Sequence, residues 1–145
     1  MTLTGTYTRT LDDKQRLAVP KRLREQLSEG KLSHVYLAPG TETSLALYAP
    51  EAFERLASRL AERTTNRVEF RNYLRLFYGQ AEEVPLDSQG RIRIPERLVK
   101  LAGLVGDVVL LGVHDHVELW DGGQWEDFRQ RHIQTFDEMA TQAFE

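Results

Sequence analysis

Two short stretches of this 145-residue chain place an aspartate four residues ahead of an arginine. They read L-D-D-K-Q-R-L-A-V-P-K-R-L from Leu11 to Leu23 and L-D-S-Q-G-R-I-R-I-P-E-R-L from Leu86 to Leu98. Set against each other at an offset of 75 residues without a gap, they share six of thirteen positions. An aspartate opens a tight turn because its carboxylate accepts from backbone N–H groups two residues on. A carboxylate also repels phosphate, so Asp12 and Asp87 read as residues that structure their turns. An arginine carries a planar fork of donors that suits bidentate contact with a guanine edge or a phosphate. Arg16 and Arg91, present on both arms, read as candidate contacts to a polyanion.

Other residues have plainer readings. Lys21, Arg22 and Arg24 share a short segment with Glu25, and either a solvated face or a phosphate-contacting one fits them. His114, Asp115, His116 and Glu118 could suggest a metal site or an acid–base pair, since alternate strand positions put the two histidines on one face. The cluster has no counterpart in the first copy (residues 40–44), and turn or surface residues are the expectation. No nucleophile elbow and no glycine-rich phosphate loop is present. With no cysteine, disulfides, thiol catalysis and cysteine-ligated zinc are excluded. No catalytic residue, metal, cofactor or small-molecule substrate is expected.

The elements that must hold these residues follow from periodicity. In each copy a leucine leads through a polar turn into an alternating strand (Arg16 to Val19, Arg91 to Ile94). Pro20 and Pro95 then suit the start of a helix, where a missing N–H costs nothing. In the first copy Lys21 to Leu27, with Leu23 and Leu27 at i, i+4, predict a short helix ended by Gly30. A second matching stretch follows each copy: Leu45-Ala46-Leu47-Tyr48 with Phe53, and Val117-Glu118-Leu119-Trp120 with Trp125. Strands are expected at 35–37 and 45–48, joined through Pro39-Gly40, and at 108–113 and 117–120. Behind Pro50, the stripe Phe53, Leu56, Ala57, Leu60 predicts a helix. Phe70, Tyr73, Leu74, Phe77 and Tyr78 predict another, closed by Gly79, with a break at 64–67. A third helix should start at Asp121 as N-cap, with Trp125, Phe128 and His132 inward. The two tryptophans fit core or subunit-contact anchors. Beyond Gln134 the apolar residues are sparse, and a frayed or partner-dependent tail is expected.

A strand–turn–strand–helix unit cannot bury both its faces alone. Two copies paired about a pseudo-twofold axis can close a small barrel and remove their open edges. That pairing would bring Arg16 and Arg91 to related positions on one side, a way to address a nucleic-acid backbone and groove. The charge pattern allows this. Net charge is −3, yet residues 1–34 carry seven Lys/Arg against four Asp/Glu, and residues 106–145 two against nine. Backbone affinity depends on the local field rather than the total. The longest apolar run, residues 108–113, is far short of the ~20 residues that span a bilayer, so no membrane partner is expected. The first ten residues lack an apolar signal region, so a cytoplasmic location is expected.

The strings L-D-D-K-Q-R-L-A-V-P-K-R-L-R, L-D-S-Q-G-R-I-R-I-P and L-L-G-V-H-D-H-V-E-L-W resemble the MraZ family, over about Gly5 to Phe128. The resemblance implies an α+β fold: a duplicated swapped-hairpin, AbrB-like β-barrel with flanking helices and a pseudo-twofold axis within one chain. It divides a single domain into a first half at 5–53, connecting helices at 54–79, a second half at 80–128 and a tail at 129–145. It implies a transcriptional regulator of the bacterial division and cell-wall gene cluster, nucleoid-associated, that binds direct repeats of double-stranded DNA in its own promoter region as a ring-shaped homo-oligomer. Arg16 and Arg91 would face DNA, with Lys14 and Arg93 adding phosphate contacts and Lys21 and Arg22 beside them. Where the family has Gly before the first motif arginine, this chain has Gln15, so that turn should differ in shape or carry strain. A protein-interaction scaffold or antitoxin-like module working through the acidic C-terminal quarter is the alternative, and a small metal hydrolase is the remotest.

Overall fold

The computed structural model describes residues 2–63 and 67–145. The expected break at 64–67 falls mostly outside them. Among the described residues, eight strands and six helices follow one another in two matching series. The first is β1 (Thr6–Thr10), β2 (Arg16–Ala18), α1 (Lys21–Leu27), β3 (His34–Pro39), β4 (Leu45–Tyr48), α2 (Pro50–Glu62) and α3 (Val68–Gln80). The second is β5 (Glu82–Pro85), β6 (Arg91–Arg93), α4 (Glu96–Ala102), β7 (Asp107–Val113), β8 (His116–Asp121), α5 (Gly122–His132), a 3-10 turn (Ile133–Thr135) and α6 (Phe136–Ala143).

The two halves exchange strands. A six-stranded antiparallel sheet runs β1-β7-β8-β4-β3-β5, and a separate ribbon pairs β2 with β6. The first strand of each half therefore lies on the hairpin of the other: β1 on β7, with Tyr7 opposite Leu110, and β5 on β3, with Val84 opposite Val35. The pseudo-twofold axis passes where equivalent residues face each other. In the ribbon Leu17 faces Ile92, and at the sheet centre Ala46 faces Glu118. The fold is thus the duplicated swapped-hairpin type, with both sheet edges continuing through polar turns into the ribbon.

Alternation along the strands sorts residues into layers. One sheet face sends Leu37, Leu45, Leu47, Leu110 and Leu119 into the main core, where Leu17 and Ile92 of the ribbon and Leu23 and Leu98 of α1 and α4 meet them. The other face carries Ala38, Ala46 and Tyr48, covered by Phe53 of α2 and Phe77 of α3. It also carries Val109, Leu111 and Trp120, with Trp125 and Phe128 of α5 packed over them. Asp121 caps α5 as expected, its carboxylate accepting from the Gln124 N–H at 3.2 Å.

Three local expectations need correction. Helix α1 spans Lys21–Leu27 as expected, but it is ended by Ser28 turning extended and not by Gly30, which lies two residues further on. Helix α3 runs through Gly79 to Gln80, because Gly79 does not take the left-handed conformation and the Ala81 N–H still donates to the Phe77 carbonyl at 3.0 Å. The segment after Gln134 is the helix α6, since Phe136, Met139, Ala140 and Ala143 recur at helical spacing.

Candidate nucleic-acid interface

Each polar turn is built by its aspartate. Asp12 Oδ1 accepts from the N–H groups of Lys14 (2.9 Å) and Arg16 (2.8 Å), while Oδ2 accepts from Arg16 Nε at 2.8 Å. Asp87 repeats this, accepting from the N–H of Gln89 and of Arg91 at 2.9 Å each and from Arg91 Nε at 2.8 Å. The Arg16 and Arg91 N–H groups are the main reason that both carboxyls are held below the ordinary value of 3.8; the guanidinium bonds add to it. The carboxylate therefore does two jobs, closing the turn and fixing the first bond of the guanidinium. Because each pair uses Nε, the terminal nitrogens of the fork lie outside the aspartate contact.

The swap joins the two turns into one surface. Gln15 C=O accepts from the Ile94 N–H (2.9 Å), and Gly90 C=O accepts from the Val19 N–H (3.0 Å), so each turn is bonded to the strand of the other half. With Leu17 and Ile92 buried, alternation sends Arg16, Ala18, Arg91 and Arg93 to the opposite, solvent-facing side of the ribbon. Arg16 faces Arg93 and Ala18 faces Arg91 in register. Like charges directly opposite each other on a ribbon repel; Asp12 offsets part of the Arg16–Arg93 repulsion through its ion pair with Arg16, and Asp87 pairs Arg91 in the same way. Arg93 is exposed and has no ion pair among the described residues. Lys14, Lys21 and Arg22 are exposed beside the ribbon, on the first turn and on α1. The structure thus gathers Arg16, Arg91 and Arg93 onto one strand pair with Lys14 at its end.

The first turn does not change shape for lack of glycine. Gln15 takes φ +62° where Gly90 takes φ +76°, the same left-handed bend carried by a residue with a side chain. The second turn has a further reason for glycine. A Cβ at Gly90 would lie 2.5 Å from the Arg24 guanidinium carbon, and Arg24 Nε donates to Val19 C=O at 3.0 Å. Arg24 of one half thus lies on the turn of the other, a placement that sequence order alone does not reveal, since 66 residues separate it from Gly90.

The histidine cluster lies elsewhere. His114 has φ +66° in the β7–β8 turn, so the strand alternation expected to align it with His116 does not run through that residue. His116 is largely covered, with Nδ1 2.8 Å from Asp115 and Nε2 3.5 Å from Glu118. Both imidazole nitrogens are therefore already met by carboxylates. The ring stacks on Tyr48 at 5.2 Å, Asp115 reaches Arg59 of α2 at 3.4 Å, and Glu118 accepts from Trp120 Nε1 at 3.0 Å. This is a clasp between the hairpin and α2. No helix among the described residues is long and apolar enough to cross a membrane.

The chain matches the family described as "MraZ protein, putative antitoxin-like" twice, over residues 2–76 and 77–145. It is 35% identical to the Transcriptional regulator MraZ of Mycoplasmoides gallisepticum over 94% of this chain and 93% of that one. Proteins of the same name from Mycobacterium ulcerans (35% identity, 96% and 94% covered) and Micrococcus luteus (36%, 92% and 91%) are similar over comparable spans. A duplicated match along the full length, coinciding with two swapped halves that each carry a D-x-x-x-R turn, places this chain in the MraZ family.

Proposed function

We propose that this protein is a sequence-specific regulator of transcription that binds duplex DNA through the β2–β6 ribbon. The observation that carries this reading is the convergence of Arg16, Arg91 and Arg93 on one outward face, with two of the three guanidinium groups held by aspartates. A pre-oriented fork loses less freedom on binding than a free one. Arg16 and Arg91 supply the base-edge or bidentate phosphate contacts, and Lys14, Arg93, Lys21 and Arg22 supply phosphate contacts that set register. The targets are direct repeats in the protein's own promoter region, ahead of division and cell-wall genes, and the working form is a ring-like homo-oligomer in the cytoplasm. The names of the relatives support the regulatory role.

A salt-titrated binding assay on the DNA upstream of the gene, against scrambled repeats, tests the reading. Arg16→Ala should cost about 1–3 kcal/mol of specific affinity with no change in oligomer size. Arg91→Ala should act in the same direction. Unaltered affinity in both variants removes the ribbon from the interface. A second reading, a protein-interaction module, has the acidic C-terminal quarter and the words "antitoxin-like" in its favour. Salt-insensitive association no tighter than that with random DNA would decide for it.

A further inference from the structure

The two D-x-x-x-R turns are built alike but held differently, and the difference lies on the helices that follow them. Arg24, in the last turn of α1, does not share the exposed face of Lys21 and Arg22. Its side chain is half-buried, and Nε donates to Val19 C=O at 3.0 Å. Its Cζ, Nε and Nη1 atoms lie 2.5, 2.7 and 2.9 Å from where a Cβ of Gly90 would be, so the guanidinium rests on that glycine. A residue with any side chain at position 90 would deny it the seat.

A chain of bonds leads from there to Arg91. Arg24 holds the Val19 carbonyl, and the Val19 N–H donates to Gly90 C=O at 3.0 Å. The Gly90 N–H donates to Asp87 C=O at 3.0 Å, and the Asp87 carboxylate holds the N–H and Nε of Arg91. Each link fixes the next, and a satisfied network of this kind stiffens what it closes. Arg24 and Val19 belong to the first half and Gly90 to the second, so the turn is secured from outside itself.

The first turn is held without such a lock. The offset of 75 that superposes the two copies puts Val99 where α1 has Arg24, and Ile94 where the first copy has Val19. Val99 is buried and has no side-chain donor to offer Ile94 C=O. The tip residue of that turn is Gln15, which takes the left-handed bend with a Cβ in place. Glycine and the arginine lock therefore occur together, on one arm of the two.

We propose that Arg24 is a positioning residue for DNA recognition, locking the second turn from the first half so that Arg91 is presented in one orientation. It acts through Val19 and Gly90 and not by its charge. A turn held in place beforehand loses less freedom when it binds. The inference rests on the ribbon reading given above and adds to it a residue that need not touch DNA.

Two substitutions in the full chain separate a lock from a charge contact. Arg24→Met keeps the stem but has neither donor nor charge. Arg24→Gln also lacks the charge, yet it places an amide N–H as many bonds from the backbone as Nε, within reach of Val19 C=O. Binding to the DNA upstream of the gene should weaken about tenfold in Arg24→Met, the scale of one charge-assisted hydrogen bond, and stay within about twofold of wild type in Arg24→Gln. Equal losses in both variants are what a phosphate contact would give, and they overturn the proposal. In an Arg91→Ala background, Arg24→Met should cost no more than about twofold, because the residue it positions is gone; losses that multiply overturn the proposal too. Amide hydrogen exchange of the DNA-free protein gives a reading independent of binding. Residues 88–91 should exchange about tenfold faster in Arg24→Met than in wild type or Arg24→Gln, with residues 13–16 unchanged in all three. A rise at both turns is general loss of stability and overturns the lock. Wild-type affinity in both Arg16→Ala and Arg91→Ala overturns the ribbon reading and the proposal with it, whereas the other outcomes leave that reading standing.

Discussion

At the scale of single residues, the two D-x-x-x-R turns show how one carboxylate can define a loop. Asp12 and Asp87 each accept three hydrogen bonds from within five residues, so the turn is specified locally and survives in both halves despite different residues at its tip. Their stabilising effect is full above the ordinary carboxylate value of 3.8 and is lost as pH falls through their lowered values. Gln15 is where the two turns are unequal. A left-handed conformation costs a residue with a Cβ about 1–2 kcal/mol, part of which glycine returns through a more flexible unfolded chain. Gln15→Gly should therefore raise stability by about 0.5–1 kcal/mol, which is about 2–4 °C in melting temperature for a chain of this size. The mirror change, Gly90→Gln, should be destabilising, because it adds both the backbone strain and a clash with Arg24. Thermal denaturation of the two variants checks this; equal effects would mean that the turns are not strained as their φ angles imply.

At the scale of elements, the His116 clasp ties α2 to the β7–β8 hairpin. Burial pulls the imidazole toward neutrality, but the Glu118 and Asp115 carboxylates outweigh it and hold the pKa above the ordinary 6.5. The same contacts lower the carboxyls: Glu118 chiefly through His116, and Asp115 through His116 and Arg59 against the opposing pull of burial. Tyr48, beneath the ring, is pushed by burial to about 12 and stays neutral throughout. A group whose pKa rises on folding stabilises fully below its unfolded value and loses that contribution as pH climbs through its folded one. The melting temperature should accordingly fall as pH rises past 6.5, and His116→Gln should flatten that slope. A variant with the wild-type slope would mean that the clasp does not carry the pH dependence.

At the scale of the whole molecule, the sheet separates two surfaces. The ribbon, α1 and α4 cover one face, and α2, α3 and α5 cover the other. The DNA contact proposed for Arg16, Arg91 and Arg93 falls on the first side and leaves the helices of the second outside it. The homo-oligomer proposed above would bind multivalently. DNA carrying several repeats should bind about 10²–10⁴-fold tighter than a single repeat, since each further contact is made at high effective concentration. That advantage should vanish where the protein is dissociated into single protomers, while single-repeat affinity is kept. Equal affinity for one and several repeats in the wild type would argue for a protomer acting alone.

Much of this was legible in residue order, and the parts that were not share a cause. The duplication, the turns opened by Asp12 and Asp87, the buried strands 45–48 and 117–120, the α2 stripe and the Asp121 cap all follow from interactions within a few residues, where periodicity and turn chemistry act. The edge strands Thr6–Thr10 and Glu82–Pro85 did not announce themselves, because mostly exposed strands keep no apolar alternation. The exchange of those strands could not be read from their neighbours, since two halves with the same pattern satisfy every local preference equally well whether each pairs with itself or with the other. Long-range packing breaks that tie. It is packing that sets Arg16 opposite Arg93, lays Arg24 across Gly90, and brings Arg59 to Asp115, contacts between residues that the chain's order keeps far apart.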